Sequence, residues 1–188
     1  EDSETGATEE GSAVADMNSW PVTESEFRQA LDVAGASYDD FDEKTSYQWP
    51  NRQIGSADLT DSVAFVAFVE VPDSGPHAAV LGVYYRDEDW IFFDALEVRA
   101  NGNTYELATF ESWEKSTDVS GGGVTEIGAV PMSPDKLEMV SNLLSDSSSK
   151  FRLSGSDGSV ERGFTAQERE RLTNWFSAAT GLENGFVP

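Results

Sequence analysis

Between Ala79 and Phe110 the chain reads AVLGVYYRDEDWIFFDALEVRANGNTYELATF, and this run narrows the possible folds more than any other. Val80 to Tyr85 is dense in strand-forming residues. Arg86-Asp87-Glu88-Asp89 is an unbroken charged run, which a buried segment does not hold, so it predicts a solvated turn. Trp90-Ile91-Phe92-Phe93 places apolar side chains on both faces, the pattern of a strand with something packed on each side. Beyond Asp94 the alternation sharpens, with Leu96 and Val98 pointing one way and Glu97 and Arg99 the other. Asn101-Gly102 supplies the two positive-φ positions of a tight hairpin turn, and Thr104 to Phe110 returns. The reading is three consecutive antiparallel strands.

Asp94 interrupts this pattern. It falls in register with Trp90, Phe92, Leu96 and Val98, on the face expected to be buried. A carboxylate there is either catalytic or ligating, or it is paired with an arginine or backbone N–H groups, or it sits at a bulge; burial demands a partner in every case.

The chain has 188 residues, enough for one domain that buries about 70% of its unfolded surface. Its 35 acids against 12 bases give a formal net charge of −23, which repels nucleic acid and anionic lipid. No cysteine is present, which excludes disulfides, thiolate zinc sites, iron–sulfur clusters and cysteine nucleophiles. No apolar run of eighteen residues occurs, so no membrane-spanning helix is expected.

Residues 1–19 are rich in Ser, Thr, Gly, Ala and Glu, without a basic or aromatic residue, and predict a flexible acidic leader before a single domain over 20–188. Thr23 and Glu26 form a capping box, and Phe27, Ala30, Leu31 and Ala34 make one stripe, so a helix is expected near 24–34, ended by Gly35. Residues 37–61 read as irregular. Their acids Asp39, Asp40, Asp42 and Glu43 lack the spacing and glycine of a calcium loop. Their aromatic residues Tyr47 and Trp49 are candidates for a ligand-stacking platform, though such residues more often anchor a long loop to the core. A strand follows over 61–71. The turn beyond it holds Asp73, Ser74 and His77, the only histidine, but a short turn cannot aim three side chains of a triad at one point.

Residues 111–123 read as a loop ending in Gly121-Gly122-Gly123, without the lysine of a phosphate-binding loop, followed by a strand near 124–130. Ser133-Pro134 opens a helix near 134–144, Lys150–Arg162 predicts a hairpin, and the Thr165–Glu168 capping box opens a helix over 166–179 closed by Gly181. Lys150, Arg152 and Arg162 fall together in the hairpin, a small cationic patch able to hold an anion unless its members pair with acids of the chain. The expected architecture is α+β: an antiparallel sheet of about five to seven strands with about three packed helices.

From Tyr84 to Phe176 the order of features is an aromatic strand, a charged turn, W-I-F-F, a short turn, a glycine-rich loop with Glu126, an S-P-capped helix, F-R-L-S-G and a capping-box helix. This order resembles the extracytoplasmic domains of uncharacterised Gram-positive, especially actinobacterial, lipoproteins. The resemblance covers about half the chain, implies a cell-surface location behind a lipid-modified cysteine upstream of Glu1, and carries over no active-site residue. The leading expectation is a monomeric, non-catalytic module that binds a protein or cell-envelope ligand, with no cofactor and no metal. A carboxylate-based hydrolase of envelope glycans, using Asp94 and Glu126, is the second, and it requires the two carboxyls about 5–9.5 Å apart across a cleft. A halophilic cytosolic domain is the third, since excess acid suits that setting too.

Overall fold

The computed structural model describes residues 20–49, 63–120 and 123–188. The leader, the start of the strand expected at 61 and two of the three loop glycines lie outside the described residues. The elements in order are α1 (Glu24–Asp32), β1 (Gly35–Asp39), β2 (Lys44–Trp49), β3 (Val63–Pro72), β4 (Ala78–Asp87), β5 (Phe93–Ala100), β6 (Asn103–Thr109), β7 (Lys115–Ser120), β8 (Gly123–Pro131), α2 (Pro134–Ser145), β9 (Lys150–Gly155), β10 (Gly158–Gly163) and α3 (Ala166–Glu183). The chain is therefore α+β, with three helices on antiparallel strands. The strands divide between two sheets, one of six in the order β1-β2-β3-β4-β8-β7 and one of four in the order β10-β9-β5-β6. Among the described residues no helix is long and apolar enough to cross a membrane.

The division corrects the reading of residues 79–110. The hairpin at Asn101-Gly102 forms as expected, with φ of 50° and 79°. But β4 pairs with β3 and β8, not with β5. The run from Glu88 to Phe92 is a crossover from one sheet to the other, with Ile91 buried and Trp90 and Phe92 turned toward the outside.

The sheets pack face to face along part of their length. Val63, Phe65, Ala67 and Val69 of β3 and Leu81, Val83 and Tyr85 of β4 form one buried face. Phe65 meets Phe151 of β9 edge-on at 4.9 Å between ring centroids. Gly128 of β8 is small because a Cβ there would stand 2.8 Å from the rings of Phe93 and Phe110. Helices α1 and α3 cover the rest of that face. Trp49 donates its indole N–H to the Ala30 carbonyl at 3.1 Å, and Trp175 donates to the Phe68 carbonyl at 3.1 Å.

Two glycines differ from their expected roles. Gly35 opens β1 instead of ending α1, whose C-cap is Val33. Gly181 lies inside α3, where its missing Cβ makes room for the Phe27 ring, and the positive-φ glycine after the helix is Gly185. A glycine required for close packing reads the same in sequence as one required for a helix stop. The edge strands β1 and β7 escape notice because neither has apolar alternation; every β1 residue is exposed.

Candidate functional site

The outer face of the four-stranded sheet carries a shallow cavity of about 120 Å³, lined by Glu97, Val98, Arg99, Thr104, Lys150, Phe151, Arg152 and Glu161. Strand register builds it from two rows of outward side chains. In the first row Glu161 lies opposite Arg152, Arg152 opposite Glu97, and Glu97 opposite Glu106. In the second, Gly163 lies opposite Lys150, Lys150 opposite Arg99, and Arg99 opposite Thr104.

The rows differ in charge balance. Arg152 donates to Glu161 at 2.8 Å and stands 3.8 Å from Glu97, so its charge is matched on both sides. That hydrogen bond holds the Glu161 carboxyl below its ordinary value and raises Arg152. Arg99 and Lys150 are directly opposed, and among the described residues neither side chain makes a hydrogen bond or ion pair. Their field reaches Glu161 only through space. Like charges directly opposite across two strands are destabilising. With 35 acids against 12 bases in the chain, two adjacent cations with no direct ion pair among the described residues run against what the composition makes easy.

The expected patch of Lys150, Arg152 and Arg162 is thus divided. Arg152 is neutralised, Arg162 faces inward to Glu168 at 2.8 Å, and Lys150 is joined by Arg99. Sequence reasoning missed Arg99 because its neighbour comes from a strand some fifty positions away; only the alternation Leu96/Glu97/Val98/Arg99 marked it as outward.

The candidate carboxylates separate. Glu126 is 3% exposed on β8, and its oxygens accept the backbone N–H groups of Ile91 at 2.8 Å, Phe92 at 2.9 Å and Phe93 at 2.9 Å. It clamps the sheet crossover, and both oxygens are engaged in doing so. Asp94 is exposed, contrary to the expected burial. The pairing of β5 with β9 shifts between Phe93 and Ala95, so Ile91 and Phe93 face inward before this irregularity and Leu96 and Val98 after it. One extra residue reverses the parity and turns Asp94 out.

Tyr47 is half-buried and Trp49 is 3% exposed against α1, so Trp49 offers no open ring face to a ligand. Asp73 accepts the Tyr38 hydroxyl at 3.0 Å and His77 lies 3.0 Å from Glu183, so these members of the notional triad have separate partners. In the acidic turn after β1, Asp39 accepts the N–H groups of Phe41 and Asp42.

Tyr85 braces the crossover from below, donating to the Asp89 carbonyl at 3.0 Å. Burial, reinforced by Asp87, Glu126 and Asp89, pushes its phenol up to about 12. An unfolded tyrosine titrates near 10, so above that pH the unfolded chain loses this proton first. Stability is fully present below pH ~10 and falls as pH rises toward 12, by about 2–3 kcal/mol from this group. Urea unfolding across that range is expected to show the loss in the wild type and a smaller one in Tyr85→Phe.

Comparison with protein-family models, curated proteins and solved structures finds no match to this chain.

Proposed function

We propose that this protein is a non-catalytic binding module of the cell surface, held there by a lipid anchor upstream of Glu1, and that it reads an anionic group of a cell-envelope ligand on the outer face of its four-stranded sheet. The observation that carries the reading is the pair Arg99 and Lys150, opposed in register, neither in a hydrogen bond or ion pair among the described residues, and set in a cavity with Thr104, Glu97 and Glu161. A phosphate or carboxylate placed between them relieves their repulsion and gains charge-assisted hydrogen bonds. The net charge of −23 does not forbid this, because at physiological ionic strength exposed charges beyond about 8 Å are largely screened. The location rests on the resemblance and the leader composition. The non-catalytic part is supported by Glu126, whose carboxylate is committed to three backbone amides and is not placed for acid or base work.

The test is a titration with glycerol phosphate and with glucuronate, followed by NMR. Either probe is expected to shift the signals of Arg99, Lys150 and Thr104. The double variant Arg99→Ser, Lys150→Ser is expected to bind about tenfold or more weakly, ~1.4 kcal/mol, with stability unchanged or raised because the repulsion is gone. Absence of binding at millimolar probe, or binding indifferent to the double variant, overturns the site. Turnover of a glycosidase or esterase substrate overturns the non-catalytic assignment. A gene lacking a hydrophobic segment with a terminal cysteine before Glu1 overturns the anchor.

A further inference from the structure

The crossover from β4 to β5 is held with more effort than a connector needs. Phe92 has φ of +48°, a left-handed backbone that a bulky side chain rarely adopts. Three things fix it there. Glu126 accepts the N–H groups of residues 91 to 93. Gly155 lets β9 approach so closely that any Cβ on it would run into the carbonyls of Ile91 and Phe92. The Asp157 N–H donates to the Ile91 carbonyl at 3.2 Å. What this scaffold presents is aromatic. Ile91 and Phe93 are buried, while Trp90 is partly open and Phe92 is 43% exposed. The rings of Trp90 and Phe92 are stacked, with centroids 5.4 Å apart and planes 13° from parallel.

The surroundings are acidic. Asp87, Glu88 and Asp89 precede the pair and are exposed; Asp94 follows on the same outward alternation as Trp90 and Phe92. Among the described residues none of these four carboxylates forms an ion pair. Lys115 lies close, but its ammonium donates to the Phe93 carbonyl at 3.0 Å.

We propose that the Trp90–Phe92 pair is a docking site for a basic segment of another protein, with an arginine or lysine side chain seated on the Phe92 ring and met by the carboxylates beside it. A ring face and unmatched acids together define a cation site: the ring quadrupole attracts the cation, and a guanidinium stacks on the ring while forking to a carboxylate. Rigid aromatic anchors of this kind dominate binding energy where they occur. A second copy of this chain does not fit, because two bodies of net charge −23 would bring their acidic rims together. Insertion of Phe92 into a bilayer would carry the same acids to the headgroups, which anionic lipid repels. This site lies on the crossover, and its fate is independent of the anion cavity.

The experiment uses the full chain, with a tri-arginine peptide, a neutral trimer of N-acetylglucosamine and vesicles of zwitterionic or anionic lipid as probes. The peptide is expected to bind at physiological salt and to shift the ring signals of Trp90 and Phe92. Phe92→Gly, which suits the left-handed backbone and so keeps the fold, is expected to weaken it about tenfold or more. Phe92→Leu, which keeps bulk but loses the ring, is expected to weaken it similarly. Asp135→Asn with Glu138→Gln, exposed acids on α2, is expected to leave affinity within about twofold. Peptide binding unaffected by both Phe92 variants overturns the proposal, as does an equal loss from the α2 pair, which would mark diffuse attraction. Ring shifts produced by the sugar or the vesicles, and not by the peptide, overturn it in favour of those ligands.

Discussion

Glu126→Ala is expected to lower the unfolding free energy by about 3–5 kcal/mol, a large part of the 5–15 kcal/mol typical of a domain. The reasoning is local. Three backbone N–H groups, at residues 91, 92 and 93, have the Glu126 carboxylate as acceptor, and Ile91 and Phe93 are buried. Each buried donor left without a partner costs about 1–3 kcal/mol, and water entering the vacated space recovers part of the sum. Glu126→Gln keeps one acceptor oxygen but turns an N–H₂ toward donors, so about half the loss is expected. Urea denaturation measures both. Hydrogen exchange at the three amides should quicken in step, because all three lose the same acceptor. Asp94→Ala is the control, with a change under about 0.5 kcal/mol, since its side chain is exposed and takes no part in these contacts. A loss below about 1 kcal/mol for Glu126→Ala would mean that the crossover holds its shape without the clamp.

The legible parts of this chain were those set by local chemistry. Both capping boxes form as their spacing predicts: Thr23 with Glu26, and Thr165 with Glu168. The Asn101-Gly102 turn was legible because only one backbone geometry fits it. What sequence could not convey was which sheet a strand joins. Nothing in residues 86–92 says that β4 and β5 part company, because an apolar strand end and a sheet crossover share a composition. The Asp94 misreading has the same root. Strict alternation across Phe93–Leu96 puts Trp90, Phe92 and Asp94 on the same face as Leu96 and Val98, and the irregularity between Phe93 and Ala95 turns those three outward while Leu96 and Val98 stay inside. The cavity was half legible: Lys150 and Arg152 were seen in the hairpin, while Arg99 arrives by strand pairing and Arg162 leaves for the interior. Glu126 enters the sequence reading only as a possible catalytic carboxylate, and a buried acid in a strand reads alike whether it performs chemistry or caps a loop; only its three amide partners separate the two.

Arg162→Ala is expected to cost about 3–5 kcal/mol, for a different physical reason. The Arg162 guanidinium forks to both Glu168 oxygens at 2.8 Å, donates to the Val63 carbonyl at 2.7 Å and to the Gly163 carbonyl at 2.9 Å, and lies 4.7 Å from the centre of the Phe151 ring. It thereby ties β10 to β3 and to the start of α3, where Glu168 also accepts the Thr165 N–H at 2.8 Å. Only 23% of the Arg162 side chain and 10% of the Glu168 side chain are exposed, so truncating the arginine strands a nearly buried carboxylate. Arg162→Lys keeps a charge but not the fork, and about 1–3 kcal/mol is expected to go with the lost geometry. Pairing Arg162→Ala with Glu168→Gln removes the stranded charge, so the double variant should be more stable than additivity predicts by about 1–3 kcal/mol. The further pair Arg162→Met with Glu168→Leu tests what the ion pair itself contributes. Desolvation offsets most of the attraction in such a pair, so this variant is expected within about 1–2 kcal/mol of wild type despite losing every charge. Additive losses in the first double variant would show that Arg162 acts through Val63 and Phe151 alone, with Glu168 serving only its helix cap.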